Sequence, residues 1–244
     1  MSEAPVQADA EVQNVRPEPV ARTPRLLALG LVLSISLLRF IVASFYYLSV
    51  GTLPRTPQQL HLSLISALLG EGTSLLLLWY VLHQQGRSWN DIGWKPSWWD
   101  VRRGIALLAV SMVVSATAAY GFQLLYRSYA GHYLESRSMR GILGFGISAL
   151  SIAFVLLNPV FEEMIVRAYT MSEVMDLGLS PTIAVLASVA LQMSYHFYQG
   201  LLSCIALTAV FTVFSIYFAR TRRIAPIILA HFCFDAYALI RLSL

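Results

Sequence analysis

Apolar residues in this chain gather in long stretches, separated by short segments that carry Arg, Pro and Trp. Each stretch runs for about 18 to 25 residues, the length that a helix needs to cross a bilayer core. The stretches predict spans at 26–50, 60–83, 104–126, 141–158 continuing into a polar-faced helix 160–175, 181–198, 200–219 and 224–243. We therefore expect an all-α, polytopic integral membrane protein with about seven transmembrane helices, the fourth of them interrupted.

Residues 1–25 differ from the rest because they are rich in Pro, Ala and charge and contain no apolar run. Such a segment cannot bury enough apolar surface to offset the entropy of ordering. We expect a disordered cytoplasmic tail, followed by N-terminal transmembrane helices at 26–140 and a candidate catalytic transmembrane region at 141–244. The first span then serves as an uncleaved signal anchor.

Composition narrows the class of protein. With 57% hydrophobic and 12% charged residues, the chain is too apolar for a soluble enzyme or a disordered regulator. Cys204 and Cys233 lie inside apolar stretches, so neither a disulfide framework nor a cysteine metal cluster is expected. The formal charge of +4 comes without a basic tract interleaved with aromatics, which favours membrane lipids over nucleic acid as partners.

Basic residues in the loops predict the orientation, because cytoplasmic loops are enriched in Arg and Lys. With the N-terminus inside, the inner segments hold ten of them: Arg16, Arg22, Arg25, Arg87, Lys95, Arg102, Arg103, Arg220, Arg222 and Arg223. The outer segments hold five: Arg55, Arg127, Arg137, Arg140 and Arg241. We expect a cytoplasmic N-terminus and, from the compact length and basic inner loops, the inner (plasma) membrane of a bacterium.

Two ionisable residues fall near the middle of the first two predicted spans, Arg39 and Glu71. An unpaired charge at this depth costs about 3 kcal/mol or more, so each such residue needs an explanation. The two spans are joined by a short loop, which places both residues at similar depth. We interpret Arg39 and Glu71 as a structural ion pair that locks a helical hairpin, in preference to a substrate site.

A denser group of polar residues occupies the last third of the chain and is spread over three predicted helices. Its members are Glu162, Glu163, Arg167, His196, His231 and Asp235. Isolated burial would cost several kcal/mol at each position, so convergence on one pocket is the economical explanation. Interhelical hydrogen bonding alone and a proton-relay transporter are the alternatives.

Helix geometry separates the roles of the two glutamates. Glu163 lies four residues before Arg167, the favourable order for an ion pair, so we expect it to be neutralised and to support the fold. Glu162 is rotated about 100° from Glu163 and has no basic partner three or four residues away, which leaves its carboxylate available for chemistry. Pro159 is placed to begin or kink a helix whose N-terminus would keep these carboxylates ionised.

The remaining members suggest a hydrolytic site. Glu162 can take a proton from water, His196 can position that water, and His231 can donate a hydrogen bond to an oxyanion. Asp235, four residues after His231, can orient it or address the same atom. The set fits peptide-bond hydrolysis, and it equally fits a zinc site at Glu162, His196, His231 and Asp235 in which the metal acidifies the water.

Three motifs in this region resemble those of the CAAX protease and bacteriocin-processing (CPBP, also called Abi) intramembrane proteases, a family that includes the type II CAAX prenyl endopeptidases. The motifs are Glu162-Glu163-x-x-x-Arg167, a helix ending in His196 followed by Phe-Tyr-Gln-Gly, and His231-x-x-x-Asp235. The resemblance covers about residues 141–240. Because the family has been described both as metalloproteases and as glutamate-dependent proteases, it leaves the cofactor open between none and zinc.

The resemblance implies that Glu162 and His196 activate the hydrolytic water and that His231 and Asp235 stabilise the oxyanion, with Glu163 and Arg167 bracing the first helix. Gln192 replaces the Phe usual in the family, so we expect an altered pocket wall or an extra hydrogen bond. Asp235 replaces a frequent Asn, and an ionised Asp can only accept hydrogen bonds.

The expected function is endoproteolytic cleavage of a membrane-associated or lipid-modified polypeptide, which enters from the inner face or sideways from lipid. Two rival functions use the same residues. One is a non-catalytic bacteriocin-immunity or peptide-binding membrane protein, and the other is a proton-coupled transporter.

Overall fold

The computed structural model describes residues 22–51, 56–135 and 146–243. Within these ranges the chain forms long helices and no strand, which confirms the predicted all-α fold. The long helices are α1 (Arg22–Val50), α2 (Pro57–Gln84), α3 (Trp99–Ala130), α4 (Ala149–Asp176), α5 (Pro181–Ser194), α6 (Leu201–Thr221) and α7 (Ala225–Ser243). Predicted residues 141–145 of the fourth span lie outside the described residues.

Five of these helices, α1, α2, α3, α4 and α6, are long and apolar enough to cross a membrane. The chain is therefore an integral membrane protein, but the predicted count of seven spans is not confirmed. α5 has only 14 residues, and its length of about 21 Å falls short of a bilayer core of about 30 Å. α7 has 19 residues and carries His231, Asp235 and Arg241 within its apolar sequence.

Short polar side chains mark where several helices begin. Thr56 caps α2, and Ser148 caps α4 by accepting a hydrogen bond from the backbone N–H of Ser151. Ser180 caps α5, and Pro181 follows in the first turn, where its missing N–H would have no helical partner. These local signals fix the ends of the helices on which the polar residues stand.

α4 is the central helix of the bundle. Half of its most apolar window is buried (50%), compared with 11% for α3. α4 is α-helical over Ala149–Glu162, π-helical over Glu163–Tyr169 and α-helical again over Thr170–Asp176. Of the two alternatives predicted for Pro159, a helix start or a kink, the start is wrong because Pro159 lies inside the first α-helical part. The irregularity is the π-helical part, a feature that occurs frequently at functional sites.

The last four residues of the predicted disordered tail, 22–25, are helical, so the prediction is wrong for them. Arg22 and Arg25 belong to α1, and Arg25 pairs with Glu173 and Asp176 of α4, at 3.0 Å in both cases. The pairing explains the difference, because it gives the start of α1 a folded partner. The rest of the predicted tail, residues 1–21, lies outside the described residues.

Further contacts of this kind define one end of the bundle. Arg87, after α2, also pairs with Glu173, and Arg223, before α7, pairs with Asp100 at the start of α3 (2.7 Å). We term this the basic end. Its basic residues are Arg22, Arg25, Arg87, Lys95, Arg102, Arg103, Arg220, Arg222 and Arg223.

The other end of the bundle is much less basic. Among the described residues it carries Arg127 near the end of α3 and Arg241 near the end of α7. Arg55, Arg137 and Arg140, which the sequence assigns to the same side, lie outside the described residues. The two ends of the folded bundle therefore differ in charge in the way that the loop count predicts.

Candidate active site

Four of the predicted site residues line one cavity of about 200 Å³. Glu162 comes from α4, His196 from the turn after α5, and His231 and Asp235 from α7. The cavity has room for several water molecules at about 30 Å³ each. The structure thus brings together carboxylates and imidazoles that are far apart in the sequence.

Glu163 is fully buried and is not one of the residues that line this cavity. One carboxylate oxygen, Oε2, accepts a hydrogen bond from Arg167 at 2.5 Å, and the other, Oε1, lies 2.7 Å from Nδ1 of His231. The Arg167 guanidinium also lies over the rings of Phe211 and Phe214, at 5.0 and 5.5 Å from their centroids. Glu163 therefore joins α4 to α7, in addition to forming the predicted pair with Arg167.

Glu162 has a different set of partners, which are neutral amides. Its Oε1 accepts a hydrogen bond from Asn158 at 3.3 Å, and its Oε2 accepts one from the side-chain amide of Gln192. The carbonyl oxygen of that Gln192 amide accepts a hydrogen bond from Arg167 at 3.2 Å. The two amides hold the Glu162 carboxylate in place, and no Arg or Lys among the described residues pairs with it directly.

His196 lies in a turn and not on a helix. α5 ends at Ser194, so the predicted extension of this helix to residue 198 is wrong. Nδ1 of His196 lies 2.8 Å from the backbone oxygen of Gln192, which can only accept a hydrogen bond. Nδ1 therefore carries a proton, and Nε2 of the neutral ring is an acceptor. Gly200, at φ +86°, allows the chain to turn back into α6.

His231 lies within 4.0 Å of three carboxyl groups, those of Glu162, Glu163 and Asp235. Because its Nδ1 bonds to Glu163, its Nε2 is the nitrogen directed to the cavity residues, 4.0 Å from Glu162 Oε2 and 3.7 Å from Asp235 Oδ1. Glu163 makes the shorter contact with His231, and the two predicted roles of Asp235, to orient His231 or to address the same atom, stay predictions. The Asp235 carboxyl group lies beside Nε2, the nitrogen that does not bond to Glu163.

Sequence reasoning missed Asn158, which lies one helical turn before Glu162. Its side-chain amide donates to Glu162 and, at 3.1 Å, to Oε1 of Glu71 on α2. Glu71 is fully buried and lines the same cavity. The sequence did offer a signal, because Asn158 is a polar residue four positions before Glu162 in an apolar helix. The prediction considered only ionisable residues, and Asn158 is neutral.

The predicted ion pair between Arg39 and Glu71 does not form, although both residues lie on neighbouring helices. The Arg39 side chain is exposed, donates to the Ser66 carbonyl at 3.4 Å and lies 4.3 Å from the centroid of the Phe40 ring. It reaches the backbone of Gly70, where a side chain would collide with the guanidinium. Arg39 thus contacts α2 beside Glu71, whose hydrogen-bond partner is an amide.

Two larger cavities adjoin the one that holds Glu162. One of about 510 Å³ lies between α3, α6 and α7 and shares His196, His231 and Asp235 with it. The other, of about 540 Å³, is a groove between α1 and α2 that includes Arg39 and shares Phe40 with it. The candidate site is therefore open to the side of the bundle in two directions.

The zinc alternative depends on whether the polar side chains are arranged as metal ligands. In the part of the chain that the structure describes, no group of three or more His, Cys, Asp and Glu side chains is arranged to hold a metal ion. The predicted metal set of Glu162, His196, His231 and Asp235 is therefore not supported as a ligand cluster. Cys204 and Cys233 are both free.

Comparison with known proteins agrees with the motifs. Residues 144–237 match the model of a family described as type II CAAX prenyl endopeptidase Rce1-like. The match confirms the resemblance of this segment to the CAAX protease family and includes Glu162, His196, His231 and Asp235. Arg39 and Glu71 lie outside it. The chain matches no curated protein and no solved structure.

Proposed function

We propose that this protein is an intramembrane endopeptidase that hydrolyses a peptide bond in a membrane-associated or lipid-modified polypeptide. The observation that carries the proposal is the Glu162 carboxylate, held by two amides in a cavity that it shares with His196 and His231. The family match at residues 144–237 supports a protease in particular. Membrane lipids and the polypeptide substrate are its partners, with no role for nucleic acid.

In this mechanism Glu162 is the general base. It takes a proton from a water molecule in the cavity, and the water oxygen forms a bond to the carbonyl carbon of the substrate. His196, whose Nε2 is an acceptor, holds that water by a second hydrogen bond. Glu162 then returns the proton to the leaving nitrogen as the C–N bond breaks, so the acid ends each turnover as it began.

His231 stabilises the charge that develops on the carbonyl oxygen. In its protonated form Nε2–H donates to the oxyanion while Nδ1–H remains bonded to Glu163. Asp235 balances the positive charge of the ring from the other side. Arg167 and Gln192 act as positioning residues, since they hold Glu163 and Glu162. No step requires a metal ion.

The bacterial inner (plasma) membrane, with the N-terminus in the cytoplasm, is the location that we propose. The basic end of the bundle supports this orientation, because the positive-inside rule places it in the cytoplasm. The predicted description of the chain as N-terminal helices at 26–140 and a catalytic region at 141–244 is also retained as a proposal, with Glu71 of the first part lining the site.

The proposed hydrolysis can be tested by mapping new protein N-termini in membrane fractions. This method detects cleavage of any membrane polypeptide and does not require the substrate to be known. Membrane fractions from cells that express the wild type are compared with fractions from cells that express Glu162→Gln. We expect the wild type to produce a set of new N-termini whose abundance is lower by about 10²-fold or more in the variant. The reason is that a general base contributes at least this factor to the rate of hydrolysis. Glu135→Gln, which changes an exposed glutamate, is the matched control and keeps the set.

Two results would favour the rival functions. Identical N-termini from wild type and Glu162→Gln, with both proteins folded and equally abundant, would rule against hydrolysis and favour an immunity or peptide-binding protein. A proton flux through vesicles that depends on Glu162 and shifts with pH would favour a transporter.

A further inference from the structure

Arg39 places a positive charge near the middle of the membrane-spanning part of the bundle. It lies three residues past the midpoint of the 29-residue helix α1, about 5 Å by helix rise. Its guanidinium lies against Gly70, halfway along the 28 residues of α2, and does not extend toward a helix end as a snorkelling arginine would. Lipid phosphates lie about 15 Å or more from the centre of a bilayer. The guanidinium is therefore held at a depth that lipid phosphates do not occupy.

The contacts of Arg39 leave its charge unpaired among the described residues. One N–H group donates to the Ser66 carbonyl at 3.4 Å, a long hydrogen bond, and the guanidinium lies 4.3 Å from the centroid of the Phe40 ring. No described carboxylate lies within 4.0 Å of its nitrogens, because Glu71 turns away to Asn158. A guanidinium has five N–H donors, and an unpaired charge at this depth is costly. The position is thus suited to an anionic ligand.

The guanidinium lies in a groove that is continuous with the cavity around Glu162. The groove, between α1 and α2, has a volume of about 540 Å³, within the range of small-ligand sites. Five residues line both the groove and the cavity, namely Phe40, Ala67, Phe154, Tyr195 and Tyr198. A ligand that extends from the cavity into the groove can therefore contact Glu162 and Arg39 at once.

A short series of contacts limits the distance between the two residues. Arg39 touches Gly70, the next residue is Glu71, and the Asn158 amide joins Glu71 to Glu162 at 3.1 and 3.3 Å. The guanidinium and the Glu162 carboxylate are thus within about 20 Å of each other, a distance that an extended peptide covers in about six residues or fewer.

We propose that Arg39 is a substrate-binding residue whose guanidinium binds a carboxylate of the substrate polypeptide, within about six residues of the bond that is cleaved. The inference rests on the proposed function and concerns the specificity of that same site. Arg39 lies outside residues 144–237, so the family match assigns it no role. A guanidinium and a carboxylate form two parallel hydrogen bonds, a geometry that lysine cannot supply.

The depth of the groove makes this pairing selective. A carboxylate that enters the membrane with a polypeptide carries the same kind of penalty as an unpaired arginine, so the contact removes both penalties together. A neutral group in the same place leaves Arg39 unpaired. Gly70 is part of the subsite, because any side chain there would collide with the guanidinium and displace it.

Binding can be measured without turnover by using two probes that differ in charge. N-dodecanoylglycine ends in a carboxylate, and N-dodecanoylglycinamide is its neutral match. The quantity of interest is the ratio of their affinities for the protein in a neutral detergent, measured by titration calorimetry. We expect Arg39→Gln to lower the acid-to-amide ratio about tenfold or more, because hydrogen bonds between charged groups are the strong ones. The partition of each probe into detergent cancels between variants.

Two further variants test the position of the charge. Gly70→Ala keeps Arg39 but occupies the space of its guanidinium, so it should also lower the ratio. Arg102→Gln is the matched control, because Arg102 is exposed and lies over an aromatic ring, that of Trp99 at 5.3 Å, but is outside the groove. It should leave the ratio unchanged. Thermal unfolding without probe checks that each variant is folded, and Gly70→Ala serves if Arg39→Gln is not.

Three results of these titrations would overturn the proposal. The first is a ratio that is the same in the wild type, Arg39→Gln and Gly70→Ala. The second is an equal fall in the control Arg102→Gln. The third concerns lipid phosphate and uses vesicles of phosphatidylcholine with and without phosphatidylglycerol. If phosphatidylglycerol lowers the wild-type ratio to that of Arg39→Gln, the site belongs to a lipid headgroup; we expect the difference between the two proteins to persist.

The substrate itself gives the source of the carboxylate. In the polypeptides identified by mapping of new N-termini, we expect a carboxylate at one fixed position within about six residues of the cleavage site. An Asp or Glu at that position indicates a side chain, and the end of the polypeptide indicates its C-terminal carboxylate. Arg39→Gln should raise KM about tenfold and leave kcat within about twofold, as expected for a contact made equally in the ground and transition states.

A substrate set without a fixed carboxylate position, or a fall in kcat with no change in KM, would contradict the proposal. The titrations need no hydrolysis and are expected to give the same ratio in Glu162→Gln. Loss of the proposed function would appear as N-termini that do not depend on Glu162, whereas loss of the carboxylate subsite would appear as a ratio that does not depend on Arg39. The two failures are therefore distinguishable.

Discussion

Two buried carboxylate clusters on α4 have opposite characters. At the basic end, Glu173 is fully buried and meets two guanidinium groups, from Arg25 and Arg87. Around Glu162 and Glu163, Arg167 is the guanidinium that pairs within 4.0 Å among the described residues. In the first cluster, two guanidinium groups neutralise Glu173. In the second cluster, the acidic side chains outnumber the arginines, and Glu162 lines a cavity.

The comparison shows how support and chemistry can be distinguished within one membrane protein. Fully paired ions resist opening to water and hold helices together, as Glu173 does for α1, α2 and α4. A carboxylate that accepts hydrogen bonds from neutral amides, lacks an Arg or Lys partner among the described residues and lines a cavity keeps the capacity to take a proton, as Glu162 does. Charge balance and access to a cavity, more than burial, separate the two clusters.

The largest expected effect tests whether each cluster depends on a single cation. Arg167→Met should lower the free energy of unfolding by about 3–5 kcal/mol, because it leaves Glu163 buried without its guanidinium. Arg87→Met should cost only about 1 kcal/mol or less, because Arg25 still faces Glu173 and the Arg87 side chain is partly exposed. Thermal unfolding of both variants in one detergent gives the difference.

Arg87→Met is the matched control, since both changes replace one arginine of a buried carboxylate pair on α4. Equal losses of stability in the two variants would contradict the distinction between a cluster with one cation and a cluster with two. In that case both clusters would have to be regarded as structural.

Local geometry explains why part of the site could be predicted from the sequence. Glu163 and Arg167 stand four residues apart, and the pair forms at 2.5 Å although the segment is π-helical. The cost of polar groups in lipid also identified His196, His231 and Asp235 without any structural information. The spacing of Glu163 and Arg167 is a property of one helix, and the cost of burying polar groups is a property of the lipid. Neither requires knowledge of how the helices pack.

What the sequence could not supply is the rotation of one helix against another. Arg39 and Glu71 lie at similar depth, but α2 turns Glu71 toward Asn158 on α4 while Arg39 stays at the surface. The π-helical part of α4, Glu163–Tyr169, likewise was not predicted, because π-helices are rare and the apolar pattern of the segment is that of an ordinary helix. Contacts between elements, and not the elements themselves, were the uncertain part.

A smaller effect is expected when the amide that links two carboxylates is removed. Asn158→Ala should lower kcat about tenfold, equivalent to about 1.4 kcal/mol, because Glu162 loses one of its two amide donors. KM should change little, since Asn158 positions Glu162 more than it binds the substrate. The measurement uses a peptide identified by the mapping of new N-termini.

Glu71→Gln separates the two contacts of Asn158. It removes the charge of Glu71 but keeps an oxygen that can accept the Asn158 hydrogen bond, so kcat should fall less than in Asn158→Ala. A wild-type kcat in Asn158→Ala would show that the amide of Gln192 alone holds Glu162. That result would mean that Asn158 serves to hold α2 through Glu71 and does not position the general base.

The smallest expected effect concerns Arg39 and Glu71, the pair that the sequence predicted and the structure separates. In a double-mutant cycle of Arg39→Gln and Glu71→Gln, the coupling of the two changes should be within about 0.5 kcal/mol, as for residues that share no contact. Arg39 bonds to a backbone carbonyl, and Glu71 bonds to an amide, so each can be changed without removing the partner of the other. Thermal unfolding of the wild type, the two single variants and the double variant provides the cycle. A favourable coupling of more than about 1 kcal/mol would restore the ion pair and would make this region a structural cluster like that of Glu173.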